Sequence, residues 1–237
     1  MACIWNLEIG SYTVLDASSS SGITTILLDI SISHDGQLVA AGCGDGIIRI
    51  WDIQTGYLVE RLRGNGSSVH SVTFTPDDKG LVSGSHDEGV KQWDLTPFLQ
   101  CESRREPLPV ASSALASAPC PDPREVSHAL EGGERGSVCT LTFVGHKHYL
   151  MSAVVNHDGQ WVVSGSRDRS VLFWDARNAQ AQFALHGHSN WVNSVDASPT
   201  SDIFATGDRD GTTRICELIA AYNLELSIDY TQGNTNA

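Results

Sequence analysis

The sequence predicts an all-β array of stacked, repeated hairpin units, and three observations carry that reading. The first is Trp161 to Asp175, W-V-V-S-G-S-R-D-R-S-V-L-F-W-D, where two apolar runs flank a polar turn. Trp161–Ser164 and Ser170–Trp174 are rich in β-branched and aromatic residues, and Gly165–Arg169 supplies turn chemistry between them. Each run is too short for a helix and has no polar face, which suits a strand covered on both sides. Such a hairpin cannot stand alone and must stack on copies of itself. The second observation is that the copies exist: a turn Asp lies six residues before each anchor, as Asp168 before Trp174, Asp87 before Trp93, Asp45 before Trp51 and Asp210 before Cys216. The third is that the register holds elsewhere. Ser164, Ser83, Ala41 and Thr206 lie ten residues before their anchors, and His146, Asn65, Ile23 and His188 lie twenty-eight before. The anchors are 42 residues apart from Trp51 to Trp93 and again from Trp174 to Cys216.

Taken in order, residues 1–15 start mid-unit. Cys3–Leu7 matches the end of a third strand and Tyr12–Leu15 a fourth. After a Ser-rich stretch at 17–22, the first complete unit runs from Ile26 to Asp52, with His34-Asp35-Gly36 as its inner turn. The third unit places His157-Asp158-Gly159 at the same distance, seventeen residues before its Trp. The second unit spans Val69 to Asp94. Pro97–Gly136 then holds six of the eight prolines with no strand period, so 96–137 is expected to be a flexible Pro/Ser/Ala-rich insertion within a 1–228 repeat domain. That many prolines exclude a degenerate unit of central strands. The third unit resumes with an outer strand over Val138–Val144, and Gly145-His146 opens its inner strands. The fourth opens at Gly187-His188 and ends at Ile215-Cys216-Glu217, with Tyr222–Ile228 as a last outer strand and 229–237 as a polar tail.

Composition narrows the function classes. Hydrophobic residues make up 41% of the 237, enough for a packed core, and 22 glycines suit many tight turns. A formal net charge of −13 argues against direct nucleic-acid binding, which needs a basic stripe, and admits a basic partner such as a histone tail. No apolar run approaches a membrane span, and the first residues lack the charge and apolar core of a signal peptide. The six cysteines form no C-x-x-C pair and are expected to be reduced thiols of a soluble intracellular protein.

Some residues look like chemistry. His146, Asp168 and Ser164 are the residue types of a hydrolytic triad, which makes a Ser-His-Asp hydrolase the alternative from another class. The same types recur at the same offsets as His188, Asp210 and Thr206. A structural network needs such duplication and an active site does not, so no catalytic residue is expected. His146-Lys147-His148 and His186-Gly187-His188 lack the further Cys or carboxylate of a zinc site, so no metal is expected. Gly42–Gly46 lacks the Lys-Ser/Thr and helix of a phosphate loop and reads as a tight turn, and no cofactor is expected.

A period near 42 residues that opens with Gly-His and closes with Trp-Asp resembles the WD-repeat β-propeller. The resemblance implies that His146, Ser164, Asp168 and Trp174 form a buried hydrogen-bond chain stapling one blade. The partial sets are His188, Thr206 and Asp210; Ser83, Asp87 and Trp93; and Asp45 and Trp51. It further implies that Tyr149, Trp191, Arg167, Arg209 and His86, which flank these positions, line a partner-binding mouth, with residue types favoured at hot spots. The order of features, including S-H-D-G-Q-L-V-A-A-G-C-G-D-G-I-I-R-I-W-D-I (33–53), the long insertion, V-G-H-K-H-Y-L (144–150) and S-V-L-F-W-D (170–175), is similar to the C-terminal propeller of fungal Tup-type transcriptional corepressors. That resemblance implies a non-catalytic nuclear scaffold recruited by DNA-bound repressors and working with a corepressor subunit. The alternatives are a ubiquitin-ligase substrate receptor or a signalling scaffold, in the cytoplasm. Those corepressors have seven blades. Four full units and a half blade therefore predict an incomplete propeller whose open edges favour self-association. Asp168→Ala is expected to destabilise more than Asp45→Ala, because the blade of Asp45 has neither His nor Ser to pair with it.

Overall fold

A strand that is apolar on both faces needs cover on both faces, and in the computed structural model the blades supply it for one another. The structure describes residues 2–7, 10–15, 17, 25–102 and 137–218. Within them the chain is all-β apart from one short helix, α1 (Thr96–Glu102). Blade 1 is the antiparallel sheet β3 (Leu27–Ile32), β4 (Leu38–Cys43), β5 (Ile47–Asp52) and β6 (Leu58–Arg63). Blade 2 contains β7 (Val69–Phe74), β8 (Gly80–Ser85), β9 (Val90–Asp94) and β10 (Val138–Phe143). Blade 3 contains β11 (Leu150–Val155), β12 (Trp161–Ser166), β13 (Ser170–Asp175) and β14 (Gln180–His186). Blade 4 has three described strands, β15 (Val192–Ala197), β16 (Ile203–Asp208) and β17 (Thr213–Glu217). A two-stranded sheet, β1 (Ala2–Asn6) with β2 (Ser11–Leu15), precedes them. The architecture is an incomplete β-propeller of four blades and a small extra sheet.

The core lies between blades. Leu38, Ile48 and Ile50 of blade 1 pack on Val72, Leu81 and Trp93 of blade 2. Val82 and Val90 meet Leu150, Val162 and Trp174, and Val163 and Phe173 meet Val195 and Phe204. The second strand is therefore buried along its length in blades 1 and 2 and nearly so in blade 3, which explains the unbroken runs of apolar and small residues in β4, β8 and β12, whereas β16 of blade 4 is only half buried. Small residues at the joints are a steric requirement: a Cβ on Gly165 would stand 2.6 Å from Val192 and 2.9 Å from Val195 of the next blade.

A second device crosses each joint near the axis of the array. The Ser71 hydroxyl of β7 accepts from the Ala153 amide at 3.0 Å and donates to the Ala153 carbonyl at 3.3 Å. Ser152 does the same to Val195, at 3.1 and 3.3 Å. At the first joint Asp29 takes this place and accepts from the Val72 amide at 2.9 Å. One side chain thus joins the innermost strands of neighbouring sheets.

The insertion departs from expectation at both ends. Residues 96–102 are helical, and Phe98 is buried in the core of blades 1 and 2 beside Leu95, so this stretch is anchored. At the far end Val138–Phe143 pairs with β9, so the strand preceding the third unit completes the sheet of the second. Residues 103–136, the outer strand expected at Tyr222–Ile228 and the polar tail lie outside the described residues.

Candidate functional site

The staple of blade 3 is built from a turn, a loop and two strands. The Trp174 indole donates to the Ser164 hydroxyl at 2.8 Å, and that hydroxyl meets Nε2 of His146 at 2.8 Å. Nδ1 of His146 meets Asp168 at 2.9 Å. Since the indole can only donate, the consistent assignment runs Trp N–H to Ser, Ser O–H to Nε2, and Nδ1–H to the carboxylate. Asp168 also accepts from the Lys147 and Ser170 amides and the Ser170 hydroxyl. Burial pushes its pKa up, but the hydrogen bonds from His146 and Ser170 outweigh that and hold it well below the usual carboxylate range. The glycine before the histidine has a packing reason, since a Cβ on Gly145 would fall 2.9 Å from the Trp174 ring.

Blade 4 corrects one expectation. His188 meets Thr206 at 2.8 Å, but its carboxylate is Asp208, at 3.1 Å, and not Asp210. Asp210 sits outside the network and accepts from Ser189 and Asn190 at the exposed end of the turn. The cause is local. Asp208 stands where the other blades have Ser166, Ser85 and Cys43, so a buried carboxylate two residues earlier, at the end of the strand, reaches the imidazole first. Burial raises the Asp208 pKa, and the Thr212 amide, the Thr212 hydroxyl and His188 together hold it down at about 2. With Cys216 in the Trp place, Arg214 lies against Gly187 and donates to its carbonyl at 2.8 Å.

Blades 1 and 2 lack the histidine and fill its electrostatic role with a cation two residues before the anchor. Arg49, 1% exposed, makes a bidentate pair with Asp45 at 3.0 and 2.7 Å. Burial works against both charges, yet the pairing holds the Asp45 pKa down and the Arg49 pKa up. Lys91 meets Asp87 at 3.0 Å, and Asp87 also accepts from the Gly66 amide at 2.6 Å. Ser83 keeps the indole contact of Trp93 at 2.9 Å and donates weakly to Asn65 at 3.3 Å. The sequence reading missed Arg49, Lys91 and Asp208. A readable signal existed for the first two, a base two residues before the anchor, an offset that blade 4 also fills with Arg214 beside its Gly-His.

The residues expected at the mouth lie together at one end of blades 2, 3 and 4, in an unbroken stack. His86 stacks on Tyr149 with ring centres 4.3 Å apart. The Arg167 guanidinium lies 5.5 Å from the Tyr149 centre and 4.0 Å from that of Trp191, and Arg209 covers Trp191 at 4.6 Å. Two residues the sequence reading did not include extend it: His70, stacked on His86 at 3.8 Å, and His148, edge-on to Tyr149 at 4.5 Å.

A family model described as WD domain, G-beta repeat matches residues 11–52, 56–94, 137–175 and 179–217. The chain belongs to the WD-repeat family. Its WD repeats are related to several proteins at moderate identity and not to one subfamily alone. The transcriptional repressor rco-1 of Neurospora crassa is 44% identical over 86 residues, 34% of this chain and 14% of the repressor. The general transcriptional corepressor TUP1 of Saccharomyces cerevisiae is 37% identical over 83 residues, 32% of this chain and 12% of its own length. The periodic tryptophan protein 2 homolog of Schizosaccharomyces pombe is 32% identical over 170 residues, 71% of this chain and 18% of its own length. The chain thus spans under a fifth of the length of each. Among solved structures, a chain in the crystal structure of the mitotic checkpoint complex superposes with a TM-score of 0.66 at 21% identity, covering 90% of this chain and 53% of that one, which bears on the fold alone.

WD-repeat domains act in general as non-catalytic interaction scaffolds, and the staple illustrates why triad-like distances do not make an active site. Ser164 has no solvent exposure, and the Trp174 indole occupies its hydroxyl oxygen, so no acyl group has a path to it. The cysteines 3, 43, 139 and 216 are free thiols. No described helix is long and apolar enough to cross a membrane. Potential metal ligands gather among the described residues at His157, Asp158 and Asp202, away from the histidine pairs considered in the sequence.

Proposed function

We propose that this WD-repeat array is a corepressor-type scaffold in the nucleus. Its mouth of Tyr149, Arg167, Trp191, Arg209 and His86 would hold a segment of a DNA-bound repressor, so that recruitment to chromatin is indirect. The observation that carries the reading is the continuous stack of exposed and half-exposed aromatic and guanidinium groups across three blades, a composition favoured where partners bind. The similarity to rco-1 and TUP1 supplies the choice of partner class. Truncating Trp191 or replacing Arg167 by Glu should weaken capture of repressors and corepressor subunits from fungal nuclear extract while leaving the thermal melt unchanged. Recovery of no such proteins by the wild type would discard the nuclear assignment, and equal recovery by both variants would move the site elsewhere.

A second reading, an adaptor in another multiprotein assembly, is favoured by the longer stretch shared with the periodic tryptophan protein 2 homolog, 71% of the chain. The same pull-down separates the two by the identity of what is recovered. Self-association belongs to the proposal as well. Leu28, Ile30 and Ile32 of β3 are 39%, 49% and 59% exposed, whereas Val72, Ala153 and Val195, which match Ile30 in the other blades, are buried. Sedimentation velocity over a concentration series should show association, and a single monomer boundary throughout would remove this part.

A further inference from the structure

The stack at the mouth has a polarity that specifies the chemistry of what it holds. Its two ends differ. Toward blade 2, His70, His86 and Tyr149 stack with interplanar angles of 11° and 18° and present flat, nearly parallel rings. Burial, then the nearby charge of His86 and Arg167 for His70, and of Arg167 and His148 for His86, hold both imidazoles below their usual pKa. These rings are therefore neutral stacking surfaces at neutral pH. Toward blade 4, Arg167 and Arg209 lie over the same Trp191 ring and bring two fixed positive charges to one spot.

Neither charge has a carboxylate in direct contact, and the one carboxylate that feels Arg209, the neighbouring Asp210, is held by other groups. Every nearby turn carboxylate is committed: Asp87 to Lys91 and the Gly66 amide, Asp168 to His146 and Ser170, Asp208 to His188 and Thr212, Asp210 to Ser189 and Asn190. Among the described residues neither Arg167 nor Arg209 forms an ion pair with a carboxylate. In addition, Nε of Arg167 and Nε2 of His86 are buried without a hydrogen-bond partner. Buried polar groups are costly to leave unmade, and these two lie in the same stack as the unpaired guanidinium charges, although unpartnered atoms such as Nε of Arg49 and Arg214 also occur elsewhere. In a chain of net charge −13 this is an inversion of the general surface character.

We propose that the mouth takes a short acidic peptide segment whose carboxylate is gripped by Arg167 and Arg209, and whose neighbouring aromatic or aliphatic side chain lies on the His70–His86–Tyr149 rings. The inference rests on the mouth reading above and fixes the partner's chemistry. Guanidinium groups pre-stacked on an indole lose little freedom on pairing and offer a fork that fits a carboxylate. A basic tail fails at this spot by repulsion from both arginines, and it brings no acceptor for Nε of Arg167. That sets the histone tail aside as an occupant of this particular surface, despite the acidic balance of the chain.

The test selects a displayed random heptapeptide library on the full 237-residue chain. The consensus peptide is then measured by fluorescence anisotropy beside two derivatives, one with Asp/Glu changed to Asn/Gln and one with them changed to Lys. The expected result is enrichment of Asp or Glu next to an aromatic or aliphatic residue, with affinity at least tenfold lower for the amide form and no binding of the Lys form. Arg167→Gln and Arg209→Gln should each lower affinity about tenfold with unchanged circular dichroism and melting temperature, and added salt should weaken binding. Because Arg167 is part-buried, Arg209→Gln, at an exposed position, keeps the test valid if Arg167→Gln unfolds. Enrichment of basic or uncharged peptides, tighter binding of a single-stranded oligonucleotide than of the acidic peptide, or no enrichment at all would overturn the proposal. Capture of nuclear proteins that depends on Trp191, together with failure of acidic peptides, would reject this chemistry and leave the scaffold reading standing. Loss of both would reject the mouth itself.

Discussion

Blades 1 and 3 solve one problem with different residues. Each has a turn aspartate and a buried tryptophan at the same spacing, and each must satisfy that carboxylate beside an apolar joint. Blade 3 runs a chain of four side chains from Trp174 to Asp168 through Ser164 and His146. Blade 1, with Ala41 in place of the serine, pairs Asp45 directly with Arg49. Leu172 occupies the Arg49 place in blade 3, so the two solutions exclude each other there. The lesson is that the repeat preserves a satisfied turn carboxylate, and the histidine is one of several ways to satisfy it, since in blade 4 the turn Asp210 is held by Ser189 and Asn190.

The comparison is broken most directly by deleting the carboxylates. Asp168→Ala should cost about 2–4 kcal/mol by orphaning the buried His146 ring. The sequence led to a smaller loss for Asp45→Ala. The structure removes that difference, because the substitution strands the buried Arg49 charge. A similar loss of about 2–4 kcal/mol is expected, kept below the fully buried case because Asp45 is partly solvated. Urea melts of the two variants decide. A clearly smaller loss for Asp45→Ala would show that Arg49 reaches water unaided, and Asp45→Ala combined with Arg49→Met should regain much of the stability.

Acid sharpens the same comparison, since Asp168, Asp208, Asp45 and Asp87 all have folded-state pKa values below the ordinary one. A depressed carboxylate contributes fully above its unfolded pKa, near 4, and loses that contribution as pH falls through the folded value. Stability should therefore be level above about pH 5 and drop steeply from about pH 4 towards 2. Asp208, at about 2, still contributes near the bottom of that window. Asp208→Asn should flatten the descent, and an unchanged slope in melts across this range would contradict the assignment of Asp208 to the network.

Smaller effects separate the links. Trp174→Phe removes the indole donor while keeping most of the buried surface, and about 1–2 kcal/mol should go. Trp93→Phe should lose a similar amount, since its bond to Ser83 is of the same length within 0.1 Å. Asp210→Ala should leave the melt at the wild-type midpoint, because its partners are exposed side chains. A loss matching that of Asp208→Ala would restore the register first read from the sequence.

How much was legible follows from what each feature depends on. The strands, their order and the joints were readable because a fixed offset from Trp51, Trp93, Trp174 and Cys216 puts the same residue type in the same place in every sheet. The carboxylate of blade 4 was not, because G-D-R-D offers two aspartates two residues apart and backbone depth decides which one reaches His188. Arg49 and Lys91 were overlooked because attention to Gly-His left the units without it looking merely deficient. The mouth was read from five positions beside the staples. His70 escaped because it lies within strand β7 and joins the stack only through its neighbour His86. The strand ending the second blade comes from beyond 103–136, a connection that spacing alone assigned to the following unit.

The serine bridges between innermost strands have a consequence for ancestry. Ser71 and Ser152 each grasp only the main chain of the following sheet, and Asp29 takes hold of the same amide group position. A joint that grips backbone is indifferent to the neighbour's side chains. This bridge therefore does not restrict which unit follows, and a unit copied in tandem would bring both halves of the contact with it, whereas the close fit of Gly165 against Val192 is a separate requirement of the joint. A bridge of this kind would let an array grow or shorten by whole units while the stapling residues of each blade differ, as they do in these four.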